Sequence, residues 1–261
     1  MFMLSKLMLF YLVAANSLQS YTTTCHDDEI YALLQLKKGF VINMTASLYK
    51  GAYPKMASWK SAGNQTINCC SWDGVECDEK TGHVVGLHLS SSCLYGSINS
   101  DSSLFRLVHL QSLNLADNDF NFSQVPISIR NFQRLRYLNL SDSNFYGQVP
   151  SEVSQLSELS SLDISNNYGM FSNKGFLTSI SQNLTGLEEL VLSYINISST
   201  VPDTLANLSL LTSLHLEGCD LFGQFPVRIF ILQNLKVLSV SDNLDLVVLS
   251  RIVKRMRRPR N

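Results

Sequence analysis

A pair of apolar residues set one position apart returns through this chain at a nearly fixed step, and that recurrence limits the fold more than any other property. The pairs are Leu87/Leu89, Leu113/Leu115, Leu138/Leu140, Leu162/Ile164, Leu190/Leu192, Leu214/Leu216 and Leu238/Val240, and their first members lie 26, 25, 24, 28, 24 and 24 residues apart. Alternation with period two marks a short strand with one apolar side. In the second copy Leu113 and Leu115 face inward, while Ser112, Asn114 and Ala116 face out. One such strand buries too little apolar area to offset the entropy of ordering itself. Stacked copies bury a continuous core, so stability comes from contacts between neighbours.

Steps in the range of 20–29 residues with this pattern are the signature of leucine-rich repeats. The predicted class is therefore an α/β leucine-rich-repeat solenoid. Three residues after the second apolar member lies a slot that reads Ser92, Asn118, Ser143, Asn167, Ile195, Cys219 and Asn243. An asparagine there can bond the backbone of adjacent coils, and serine and cysteine keep some of that capacity. Ile195 has none, so the ladder should break at it. On the return leg Gly96, Gly147 and Gly223 mark turns, and Val125-Pro126, Val149-Pro150, Val201-Pro202 and Phe225-Pro226 follow at matching positions. Proline presets φ and donates no hydrogen bond, which suits the edge of a short second strand. In the fourth copy the stretch from Asn166 to Gly175 replaces this leg and lengthens the step; it reads as a tolerated surface loop, with a ligand-specific loop as the alternative.

Residues 1–20 read as a secretory signal, with Lys6, an apolar run from Leu7 to Ala15 and then small residues. The run is too short to span a membrane comfortably. Secretion makes the cysteines disulfide candidates. Cys25, Cys69, Cys70 and Cys77 lie within residues 21–80, the expected N-terminal cap ahead of the repeats at 81–243. Four cysteines allow three pairings, and a bond between the neighbours Cys69 and Cys70 would strain the backbone. A zinc site is the other use of such a set, but no histidine stands at ligand spacing. Cys93 and Cys219 lie inside repeats and read as packing residues. Asp27-Asp28-Glu29 followed by Ile30, Leu33, Leu34 and Phe40 reads as an amphipathic helix, with Trp59 and Trp72 packed in the same lid over the first coil.

Residues 25–243 resemble the N-terminal part of plant receptor-like proteins, cell-surface leucine-rich-repeat receptors that lack a kinase domain. The likeness runs from Cys25 to Lys37 (CHDDEIYALLQLK), through Cys69 to Asp78 (CCSWDGVECD) and Thr81 to Ser90 (TGHVVGLHLS), to Ser103-Leu104-Phe105 and the Gly-x-Val-Pro turns. The resemblance implies disulfides Cys25–Cys69 and Cys70–Cys77. It also implies a right-handed superhelix with parallel strands on its concave face, where ligands bind, behind a disulfide-bonded N-terminal cap. A full-length relative would carry more coils, a closing lid, one membrane-spanning helix and a short tail. Here residues 244–261 follow no repeat register and hold six of the 20 basic residues and one of the 21 acidic ones, leaving the body at −6. The expectation is a truncated ectodomain whose only membrane contact would be a missing C-terminal anchor.

An acidic body argues against a nucleic-acid partner. No nucleophile elbow, phosphate-binding loop or kinase signature occurs, so neither an enzyme nor a cofactor is expected. The histidines, His26, His83, His88, His109 and His215, read as scattered singly. Sequons place candidate glycans at Asn43, Asn64, Asn121, Asn139, Asn183, Asn196 and Asn207. Asn139 lies on the strand face, where a glycan would mask it. By register, the outward positions include Tyr137, Asn139, Asp142, Asp163, Glu189, Tyr194, His215, Glu217 and Asp242. That polar, mildly acidic face with a few aromatic anchors is the expected site for an extracellular peptide, glycan or protein. The favoured function is recognition of an extracellular signal in defence or development, through a co-receptor kinase and at the plasma membrane when full-length. A secreted inhibitor of cell-wall-degrading enzymes shares the same lid and coil, and a non-functional truncated product is the third reading.

Overall fold

The computed structural model describes residues 24–60 and 68–248. Its spine is an eight-stranded sheet in which seven strands run parallel, one from each repeat: Val84–His88, Ser112–Asn114, Tyr137–Asn139, Ser161–Asp163, Glu189–Val191, Ser213–His215 and Val237–Ser239. Pairing sets Leu87, Leu113, Leu138, Leu162, Leu190, Leu214 and Leu238 side by side in one column. All but Leu238 are buried. Each fully buried leucine contributes roughly 2 kcal/mol, and the column supplies the shared core that no single strand could build.

The remaining turns of each coil close the other side. Pro126, Pro150, Pro202 and Pro226 each precede a short 3-10 turn, with φ between −62° and −76°. Side strands precede only two of these prolines. Tyr146–Gln148 pairs with Gly169–Phe171, and Phe222–Gln224 with Asp245–Val247. The second sheet is thus a set of fragments, not a continuous layer.

Two sequence expectations change here. The stretch expected to be a loop in the fourth repeat holds the strand Gly169–Phe171 and leads into a helix, Phe176–Asn183, where most other coils make a 3-10 turn. Its extra residues are spent on that helix, which buries Phe176, Leu177, Ile180 and Ser181. Secondly, the register does not end at Asn243, because Asp245–Val247 takes the side-strand position of a seventh coil. Residues 249–261, the proposed signal at 1–20 and the sequon at Asn64 lie outside the described residues.

The cap begins with a helix, α1 (Asp27–Lys38), that buries Glu29, Ile30, Ala32, Leu33 and Leu36. Its other face carries acids in the first turn and lysines in the last, which complements the helix dipole. It is held to the coils by a hydrogen bond from Ser103 Oγ to the Ala32 carbonyl, 2.7 Å. Phe40–Ile42 pairs antiparallel with Leu94–Gly96, and Val75–Cys77 adds the eighth, antiparallel strand to the main sheet. Trp59 and Trp72 stack at 5.5 Å, and Trp59 Nε1 donates to the Asp73 carbonyl. The disulfides are Cys25–Cys69 and Cys70–Cys77. All four sulfurs lie within 4.8 Å of one another, but bonded in pairs they are not thiolate ligands. Cys93 and Cys219 are free and buried.

Candidate functional site

The asparagine slot is what spaces the outer rows. Asn167 Oδ1 accepts from the Ser143 and Phe145 amides of the previous coil, and its Nδ2 donates to the carbonyls of Leu140, Ile164 and Ser165. Asn118 and Asn243 repeat the arrangement. Ser143 Oγ and Cys219 Sγ make reduced versions, reaching back to Leu115 O and Leu192 O. Ile195 is buried there with no side-chain donor or acceptor, so the cross-coil bond is lost at that copy.

Past each strand the backbone turns through a left-handed residue: Ser91, Asp117, Asp142, Asn166, Tyr194, Gly218 and Asp242 all have φ between 50° and 63°. Asparagine and aspartate tolerate that conformation, whereas a bulky tyrosine is strained in it. Tyr194 is accommodated by its neighbour: a Cβ on Gly218 would lie 2.7 Å from the Tyr194 ring. Glycine at 218 leaves the room in which the ring rests.

The sequence-derived face is brought together as one surface. Asn139 pairs with Asp163 across adjacent strands, and Val191 and then His215 follow in the same row. Asn139 Nδ2 lies 3.4 Å from Asp163 Oδ2 and 3.3 Å from the Tyr137 hydroxyl. Ser161 donates to Glu189, and Ser193 and Ser239 both donate to Glu217. His215 is hydrogen-bonded to Ser213 at 2.9 Å, and Asn166 donates to Asp142. Tyr137, Asn139, Asp163, Glu189, His215 and Glu217 are half-buried, while Asp142, Tyr194 and Asp242 are exposed. Burial pushes the Asp163 carboxyl above the ordinary aspartate range, with Glu189 and Asp142 adding to the effect against the Ser165 hydrogen bonds. The charge of Asp242, then burial and Glu217, raise the Tyr194 hydroxyl.

Strand register leaves Tyr168 off the outer face and in the irregular stretch of the fourth repeat; it is 79% exposed, with its ring 5.8 Å from that of Tyr194. It sits in the irregular fourth repeat, one residue past the asparagine slot, where strand alternation no longer assigns a face. Asp117, on the same row as Asp142, serves the cap instead: it accepts from Ser47, Ser91 and the Leu48 amide. His88 is likewise taken, 3.1 Å from Glu76. The histidines are not all scattered singly. His26, His83 and His109 form one stack, with ring centroids 3.9 Å and 3.7 Å apart.

Residues 85–216 match the family model described as a leucine-rich repeat region, and residues 26–78 match the leucine-rich-repeat N-terminal domain. Over 246 residues the chain is 39% identical to Receptor-like protein 6 of Arabidopsis thaliana, covering 88% of this chain and 24% of that one. The chain belongs to the plant leucine-rich-repeat receptor-like proteins. Receptor-like protein 9DC1 of Solanum pimpinellifolium is 41% identical over 255 residues, covering 95% of this chain and 28% of that relative. The chain thus spans about a quarter of the length of these curated relatives. Among solved structures, the Arabidopsis receptor kinase HAESA, in complex with the peptide hormone IDA and the co-receptor SERK1, aligns with a TM-score of 0.62 at 26% identity, over 89% of this chain and 40% of that one.

Proposed function

We propose that this receptor-like chain uses the outer face of its parallel sheet to bind an extracellular peptide or protein, in defence or developmental signalling through a partner receptor kinase. The observation that carries the reading is the composition of that face. The rows headed by Gly86, His88, Ser90 and Ser91 carry Asp142, Asp163, Glu189, Glu217 and Asp242 beside the Tyr168/Tyr194 pair, while the basic residues Arg136 and Lys236 stand one residue ahead of the first row, at the edge of the face. An anionic floor with two aromatic rings complements a partner segment carrying lysine or arginine, whose charged head can sit over a ring and beside a carboxylate.

The candidate glycans support the same face. Asn121, Asn183, Asn196 and Asn207 are exposed, and all four lie outside the strands of the main sheet. Asn43 sits in the cap, with its Oδ1 accepting from Thr45. Asn139 has both ends of its amide engaged, Oδ1 by Ser141 and Nδ2 by Tyr137 and Asp163. It is the sequon we expect to stay bare, leaving the recognition rows open.

The test is binding of the secreted chain to a library of lysine- and arginine-bearing peptides and extracellular proteins. Tyr194→Ala and Asp242→Asn should each weaken a bound member at least tenfold, and Asp203→Asn, on the opposite side of the coil, should not. No binder, or equal loss in all three variants, refutes the assignment.

A further inference from the structure

The histidine stack joins three parts of the molecule that are far apart in sequence. His26 lies at the N-terminus of α1, His83 leads into the first repeat strand, and His109 holds the matching place in the second coil. His26 Nε2 is 2.9 Å from the Thr81 carbonyl and must carry a proton there, since a carbonyl can only accept. Beneath the stack is Glu29, 3% exposed. Its Oε2 accepts from the Val84 amide at 3.1 Å, while its Oε1 lies 3.4 Å from His83 Nδ1. Neither of those last two atoms has any hydrogen-bond partner, although both are buried. A buried carboxylate with one idle oxygen, facing an idle imidazole nitrogen, is costly unless a charge or proton there has a use.

We propose that this stack is a pH-sensitive clamp between the cap and the first two coils, closed while it holds at most one imidazolium and loosened by a second. Neutral rings stack favourably. One positive charge in the column can face the Glu29 carboxylate, but a second on an adjacent ring would stand within 4 Å of the first across a ring face. The groups acting on His109 are His83 and His26 in the stack, Arg134 on the next coil and Glu29 below, and only Glu29 favours charge. Asp27 and Asp28, in the same helical turn as Glu29, are exposed to solvent. Burial first, and then the charge of His83, lower the proton affinity of His109 below that of a free histidine. A histidine so lowered contributes stability that is complete above its unfolded value of 6.5 and is lost as pH falls through that value. Acid therefore acts on the junction that seals the open end of the core. This inference does not depend on what the outer face binds.

Two measurements on the intact, disulfide-bonded chain test it. In the first, unfolding by urea is followed from pH 7.5 to pH 5.0 for the wild type and for His109→Phe, which keeps a stacked ring but cannot titrate. The folding equilibrium constant of the wild type should fall by a larger factor than that of the variant, because only the wild type carries the lowered proton affinity of His109. Equal acid sensitivity overturns the proposal. In the second, which needs no variant, the three imidazoles are titrated by their proton resonances. His109 should take up its proton only below pH 6.5 and move the His83 signal as it does so. Three independent, single-site curves overturn the proposal equally.

Discussion

Replacing Asn167 with alanine removes five hydrogen bonds at a site only 1% exposed. Two of them satisfy amides of the neighbouring coil, at Ser143 and Phe145, 3.1 Å and 3.0 Å from Oδ1. A buried donor left without a partner costs about 1–3 kcal/mol. Two stranded amides, with the carbonyls of Leu140 and Ile164 also losing their donor, bring the expected loss to roughly 3–5 kcal/mol. Water entering the vacated space would bring the value to the low end. Ser143→Ala is the internal control, because its hydroxyl only donates, to Leu115 and Ser141, and no amide depends on it; it should cost about 1 kcal/mol. Both variants are read by urea unfolding with the disulfides intact, comparing midpoints at an unchanged slope. An Asn167→Ala loss below about 1 kcal/mol, or no greater than that of Ser143→Ala, would refute the claim that this side chain carries the coil-to-coil connection.

Peptide mapping without reduction should recover Cys25 linked to Cys69 and Cys70 linked to Cys77. With sequence separations of 44 and 7, replacing the first pair by serine should cost about 4 kcal/mol and the second about 2 kcal/mol on loop-closure entropy, and a reversed order of cost would contradict that account. Phe122 stands at φ 55° on an exposed turn, where the first, third and sixth coils use Gly96, Gly147 and Gly223; Phe122→Gly should raise stability by about 1 kcal/mol by relieving left-handed strain, and a destabilised variant would show that the ring has a contact that matters. Burial pushes the Cys219 thiol up to about 12, so iodoacetamide at pH 8 should leave it unlabelled in the folded chain and label it in denaturant, because the thiolate is the nucleophile. Labelling of the folded protein would place Cys219 outside the core.

The step of 24–28 residues and the alternation within each copy were sufficient to predict the aligned leucine column, the inward and outward sides of each strand and the break at Ile195. Each of these depends only on local periodicity and on what one side chain can bond. The helix of the cap was legible for the same reason: an acidic first turn followed by apolar residues at helical spacing. Three things needed the coil itself. The stretch from Asn166 to Gly175 lacks the proline leg that punctuates its neighbours, and only packing against the adjacent coils decides that the segment makes a strand and leads into a helix. Tyr168 meets Tyr194 across coils because the backbone at 194 turns left-handed and Gly218 leaves room for the ring. His26, His83 and His109 are 57 and 26 residues apart in sequence, and they become neighbours because stacking converts one repeat period into a distance under 4 Å. A periodic sequence announces which positions share a row; the tertiary structure decides which side chains in that row meet, what lies buried beneath them, and so which of them can respond to a ligand or a proton.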